Sequence, residues 1–191
     1  LQVMLRNGFF RMPDSDLELS GLSLDLRFDD LFKLTTPPAQ RLKIAKIRAG
    51  KINITDLEVH FEIESTSQVT IENAGFHWCG GELYMRPLRL RTNQQVWNTT
   101  FYCENINLAT MLLELGIAPA GTVGDGTVFG KLPVRFDRKR GFFFDRSYLY
   151  SRPGTESHIA VSEPDKLLAG GGAVLKQTQL EFASEALRDF N

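Results

Sequence analysis

Cysteine is almost absent from the chain. Cys79 and Cys103 are its only two, too few for a disulfide scaffold and not in a CxxC spacing. They read either as two half-buried thiols on strands or as one bridge in an oxidising compartment. An excess of one charge is missing too. Lys and Arg number 22 against 23 Asp and Glu, a net charge of -1, so the global charge carries no footprint of a nucleic-acid binder. No apolar run reaches the ~18 residues that a membrane-spanning helix needs. The strings GxSxG, HExxH and Walker A do not occur. What remains is an ordinary folded composition. The 191 residues are 42% hydrophobic and 24% charged, enough for one domain burying about 70% of the surface its unfolded chain exposes.

Alternation of apolar and polar residues dominates the chain, the mark of strands with one buried face. Leu17 and Leu19 begin a run that Leu22, Leu24, Leu26 and Phe28 continue on the opposite parity. An extra residue at Gly21 restores a common face, which predicts a bulge there. Thr35-Thr36-Pro37-Pro38 breaks the run. Strands follow at Leu42 and Ile44, at Ile52 and Ile54 after Gly50, and at Leu57, Val59, Phe61 and Ile63. Val69 and Ile71 continue the pattern, and Phe76 and Trp78 reverse its parity after Asn73-Ala74-Gly75. Gly80-Gly81 reads as a turn into Leu83 and Met85. Residues 95–106 are strand-like. Asn107 reads as the N-cap of a short helix, Leu108 to Leu115, closed by Gly116. Residues 127–136 and 142–151 form a hairpin, and 158–162 give one more short strand.

From Ala173 to Phe190 the period changes to that of an amphipathic helix, with Leu175, Phe182, Ala183, Ala186, Leu187 and Phe190 on one face. The expected division is a curved β-sheet segment over 1–168 and a C-terminal amphipathic helix over 169–191. The apolar stripe is still running at Asn191, so a segment of a longer chain is expected.

The search for chemistry returns few sites. His60 stands in a row with Glu58, Glu62 and Glu64; such a row either holds a metal or is the solvated face of a strand, and the second is the commoner arrangement. His77 and His158 have no partner at metal-ligand spacing. The glycine-rich stretch Gly121–Gly130 departs from GxGxxG at Phe129 and precedes a strand, which suits turns and bulges. Arg135, Arg138, Lys139, Arg140 and Arg146 surround Phe142-Phe143-Phe144, either a surface for nucleic acid or anionic lipid or, with Asp137 and Asp145 beside them, an ordinary charged hairpin tip. No catalytic residue, metal ligand or cofactor site is assigned, and an enzyme is not expected.

Several strings occur in an order that resembles the C-terminal part of YdbH-type proteins, members of the AsmA-like superfamily of Gram-negative envelope proteins with TamB as a relative. They are Ser20-Gly21-Leu22, Thr36-Pro37-Pro38 with Gln40, the glycine-led strand from Gly50, Trp78-Cys79-Gly80-Gly81, and the helix ending at Leu115. Gly130-Lys131-Leu132-Pro133-Val134, Tyr148-Leu149-Tyr150, Arg152-Pro153-Gly154 and Ala186-Leu187-Arg188-Asp189-Phe190 follow. The resemblance spans most of residues 8–190.

It implies a mainly β fold: a strongly curved antiparallel sheet, an AsmA-like β-groove, with one short helix and a C-terminal amphipathic helix. It also implies a periplasmic segment of a parent protein anchored in the inner membrane that carries phospholipid toward the outer membrane. Its partners would be phospholipid acyl chains and other envelope proteins, an outer-membrane lipoprotein being one candidate, and no nucleic acid. A dicarboxylate-transport label also attaches to the family, but no pair of basic residues here supports a dicarboxylate site. The stripe expected to line the groove is Leu57, Val59, Phe61, Ile63, Val69, Ile71, Leu83, Met85, Leu88 and Leu90. The same residues would serve equally as a closed core under the helices, in a β-rich structural or interaction domain of the envelope without lipid binding.

Overall fold

In the computed structural model, the described residues are 1–12, 16–138, 141–144, 147–152 and 159–160. The expected helix over 173–190, His158 and Gly170-Gly171-Gly172 lie outside them. The strands are β1 (Gln2–Met12), β2 (Leu17–Arg27), β3 (Gln40–Ala49), β4 (Ile52–Ser65), β5 (Gln68–Trp78), β6 (Gly81–Met85), β7 (Leu88–Arg91) and β8 (Val96–Asn107). Helix α1 (Leu108–Glu114) follows, then β9 (Val123–Gly124), β10 (Thr127–Asp137), β11 (Gly141–Phe144), β12 (Tyr148–Tyr150) and β13 (Ile159–Ala160). Eleven strands form one antiparallel sheet, an up-and-down meander in the order β1-β2-β3-β4-β5-β6-β8-β10-β11 that does not close into a barrel. β7 extends β6 along β5, β12 extends β11 along β10, and β9 pairs with β13 apart from the main sheet.

The parity reversals read in the sequence are bulges that keep one face apolar. On β5, Ala74, Phe76 and Trp78 alternate and so share a face. Trp78 lies opposite Ile54, Ile47 and Leu19 on successive strands, while Ala74 lies opposite Val59, Leu42 and Leu24. Between these two rows, β2, β3 and β4 each carry one extra residue, at the level of Gly21, Ala45 and Asp56. Because neighbouring strands gain it together, the β2–β3 and β3–β4 registers stay unbroken. Gly21 and Asp56 take it up with left-handed backbone, at φ 68° and 55°. β1 does the same at Asn7, φ 50°, where its register to β2 shifts. The row of bulges therefore runs across four strands, and a bulge bends a strand and tightens its twist.

Two details differ from the sequence reading. Ile52–Ser65 is one long strand passing through the Asp56 bulge rather than two strands. The irregularity placed near Gly75 lies earlier, at Glu72, where the register to β4 shifts between His60 and Phe61; Gly75 itself pairs regularly with Glu58 and Tyr84. The turn into β6 uses Cys79 and Gly80, both with positive φ (49° and 75°), the requirement of a tight two-residue hairpin. β11 and β12 leave a break opposite Leu132 and Pro133, where proline has no N–H to offer a neighbour.

A Cβ added at Gly21 would stand 2.6 Å from the Cβ of Ala45, on backbone that L-residues adopt only with strain. Gly21→Val should therefore cost about 2–4 kcal/mol. Gly50→Ala, at φ 59° but with nothing within 4 Å, should cost only about 1–2 kcal/mol. Urea unfolding of the two variants checks the difference, and Ala45→Gly should recover part of the loss in Gly21→Ala.

Candidate functional site

The two faces of the sheet differ in kind. One is ionic and wet. Glu58 sits between cross-strand cations, with Arg41 Nε at 2.6 Å and Lys43 Nζ at 2.9 Å, and His60 Nε2 lies 3.1 Å from the same carboxylate. Arg48 pairs with Glu18 at 2.9 Å, and Glu64 accepts from Thr70 and Gln68 and pairs with Arg89 at 3.2 Å. Three of the four residues in the expected carboxylate–imidazole row are thus occupied by cation pairs and hydrogen bonds along strand edges. The hydrogen bonds and charge of Arg41 and Lys43 hold the Glu58 carboxyl down to about 2.

The opposite face is mainly apolar, and the register carries the ten expected stripe residues onto it. Ile63, Val69 and Leu90 form one cross-strand row, and Phe61, Ile71 and Leu88 the next. Val59 and Met85 flank Ala74, Leu57 faces Ile44, and Leu83 faces Phe76. Beyond them the face continues through Phe101 and Cys103 on β8 to Leu132 on β10. The ten do not share one environment. Leu83 and Met85 are buried, whereas Leu57, Val59, Phe61, Ile63, Val69, Ile71, Leu88 and Leu90 are only half-buried.

Helix α1 accounts for the burial of Leu83. Asn107 caps it, its Oδ1 accepting from the N–H of Thr110 at 2.8 Å, as the sequence predicts. Leu108, Met111 and Leu112 turn onto the sheet and join Leu83, Cys103, Ile106, Val128, Leu132 and Leu149 in the core, with Phe76, Trp78 and Phe101 against its margin. The bulge at Asn105, φ 56°, brings Ile106 into this cluster beside Val128. Cys79 and Cys103 are buried there as free thiols, and burial pushes them up to about 12 and about 11. The last residue of α1, Glu114, fastens the helix to the sheet. Its carboxylate accepts from Trp78 Nε1 at 2.7 Å and from the backbone N–H of Asn53 at 3.0 Å.

α1 therefore covers the apolar face at the end of the strands where β4 begins. Toward the other end of β4 no described element crosses the face. Trp97 lies at that uncovered end, stacked on Phe136 with ring centres 5.5 Å apart. Its indole N–H is the one buried side-chain polar atom without a partner among the described residues. The alternation over 95–106 already places Trp97 on the parity of Phe101 and Cys103, but nothing in that spacing marks its N–H as unpartnered. Among the described residues no cluster of His, Cys, Asp or Glu is arranged to hold a metal ion, and no helix is long and apolar enough to cross a membrane.

Two predictions follow from these contacts. Glu114→Ala strands two donors and should lower stability by about 1–3 kcal/mol in denaturant unfolding, with Glu114→Gln losing less because an amide oxygen still accepts. Glu58 titrates from about 2 in the fold against an ordinary 4.5, so its contribution is complete above about 4.5 and disappears as pH falls toward 2. Thermal melts should fall more steeply across that window for the parent chain than for Glu58→Gln.

A comparison with family models matches the YdbH-like family, described as intermembrane phospholipid transport protein YdbH, over residues 12–191. No curated protein and no solved structure matches. With the chain matched from the last residue of β1 onward, and the antiparallel sheet that the resemblance implied now described, the chain belongs to the YdbH-like family.

Proposed function

We propose that this chain is a phospholipid-carrying segment of a periplasmic protein anchored in the inner membrane, which passes lipid between the inner and outer membranes along its apolar sheet face. The observation that carries the reading is the half-open stripe: rows of large apolar side chains, in register across β4, β5 and β7, that α1 leaves uncovered. A sheet face of this kind needs a cover, and the family's lipid cargo suits it. Each methylene moved out of water contributes roughly 0.8 kcal/mol, so six of them supply about 5 kcal/mol before ordering costs. Carriage needs no catalytic residue and no cofactor. Leu83 and Met85 belong to the covered part, so the groove itself is Leu57, Val59, Phe61, Ile63, Val69, Ile71, Leu88 and Leu90.

A second reading, an interaction domain that binds other envelope proteins such as an outer-membrane lipoprotein, has its own support. β1 is an edge strand with Val3, Met4, Leu5, Phe9 and Phe10 exposed. Such an edge pairs readily with another strand.

Mass spectrometry of lipid extracted from the purified chain separates the two. Phospholipid should copurify with the parent and fall to background in Phe61→Asp and Ile63→Asp. Both variants should keep a cooperative melt, since these side chains are only half-buried and a charge there stays partly solvated. A parent that carries no lipid, or a folded variant that extracts lipid at the parent level, would sink the groove assignment.

A further inference from the structure

Among the described residues the most exposed large apolar side chain is Phe32, 98% accessible. It sits at the tip of the loop between β2 and β3, with Leu31 and Leu34 exposed on either side. Three large apolar residues on one turn are unusual at a loop apex, where small and polar residues normally collect. The turn is built rather than slack. The carboxylate of Asp30 accepts from the backbone N–H groups of Phe32 at 2.9 Å and Lys33 at 3.1 Å. Asp29 and Thr35 close its base, the Asp29 N–H donating to Thr35 O at 2.9 Å and the Thr35 N–H to Asp30 O at 3.0 Å. Leu34 holds left-handed backbone at φ 53°, where glycine or asparagine is the low-strain choice. The sequence thus accepts strain and hydration cost to hold apolar side chains outward in a fixed conformation.

The position of the turn matters as much as its composition. Thr36 anchors the loop to the end of β4. Its N–H donates to Ile63 O at 3.0 Å, and its hydroxyl accepts from the Ile63 N–H at 2.8 Å. Ile63 begins the uncovered end of the apolar stripe, the opposite end of β4 from Asn53, where Glu114 fastens α1. The tip therefore projects beside the end at which the apolar face is accessible. Its charges are Asp29, Asp30 and Lys33, with Lys33 Nζ 3.7 Å from Asp30, so no cationic surplus is present to seek anionic lipid.

We propose that the Leu31-Phe32-Leu34 turn is a membrane-docking tip that inserts into the interfacial region of a phospholipid bilayer and presents the uncovered end of the stripe to it. This rests on the phospholipid reading above and adds the place where the chain meets a membrane. Insertion is driven by apolar burial, so it should operate on neutral lipid and resist salt.

The test is flotation of the chain with phosphatidylcholine vesicles, together with tryptophan emission from Phe32→Trp. The parent should float with vesicles at low and at high salt, and Leu31→Ser/Phe32→Ser should lose at least about tenfold in partitioning. Both side chains are exposed, so the double variant should melt with the parent. In Phe32→Trp, emission should shift to the blue on adding vesicles and be quenched by lipids brominated on the acyl chain. Parent binding that is absent, that survives the double substitution, or that disappears in salt would overturn the proposal. So would a concentration-dependent dimer abolished by the same substitutions without any vesicle binding, which would make the tip a contact between copies. Failure of the groove reading is distinguishable. Tip-dependent flotation of a chain that extracts no lipid leaves the docking tip standing, and lipid extraction without tip-dependent flotation removes the tip alone.

Discussion

A broad sheet keeps one apolar face only if the alternation of each strand stays in phase with that of its neighbours, and everything else here depends on that phase. A slip of one residue turns every following side chain to the other face. Six strands of this sheet slip, side by side on β1 to β4 and with a shift of register on β5 and β8. Asn7, Gly21, Ala45 and Asp56 absorb it in a row across β1 to β4; Glu72 and Asn105 absorb it on β5 and β8. The row is a single physical device. Removing the extra residue from one strand would send half of that strand's leucines and isoleucines to the wet face, opposite Arg41, Lys43 and Glu58. The left-handed residues are mostly Asn, Asp and Gly, the types that hold this backbone with least strain.

Once the face is continuous, its division into covered and uncovered parts follows from one short helix. Seven residues of helix are too few to be stable alone. α1 persists because Asn107 satisfies its first turn, Leu108, Met111 and Leu112 are buried, and Glu114 ties its end to Trp78 and Asn53. The largest buried cluster lies under that helix, with Ile44, Ala74 and Met85 buried outside it. Farther along β4, β5 and β7, side chains of the same type remain half-exposed, held in place by ladder hydrogen bonds and by the ion pairs on the far side of the sheet.

Much of this was legible in the sequence because its signals are local. The period of two in Leu57–Ile63, the parity change at Gly21, the capping asparagine before Leu108 and the glycine after Leu115 each act over a few residues. β1 was not legible. Val3, Met4, Leu5, Phe9 and Phe10 put apolar side chains on both faces, which erases alternation. The Asp56 bulge was hidden for another reason: an aspartate in left-handed backbone looks like any polar residue of a strand, so one strand reads as two. The bulge near Gly75 was placed at the glycine, when the extra residue is Glu72. The stripe was legible as a set but not as an environment. Whether Leu83 or Phe61 is sealed depends on where α1 comes to rest, a long-range contact that spacing along the chain does not encode.

An apolar face left half-exposed contributes less to the fold than a closed one. Closing the sheet on itself, or lengthening α1 across Phe61 and Ile71, would bury more surface and raise stability by roughly 25 cal/mol for each Å² removed from water. Among the described residues neither occurs, and stability is drawn from long antiparallel ladders, a compact cluster around Ile106, Leu112 and Val128, and cross-strand pairs such as Arg41–Glu58 on the wet face. The wet face has a second effect. Its charges keep a sheet with one greasy side dispersed in water, because stacking two such sheets through their outer faces would bury ion pairs at a desolvation cost. Among the described residues, the face without such pairs is the apolar one, and its rows through Phe61, Ile63, Val69 and Ile71 stay half-exposed.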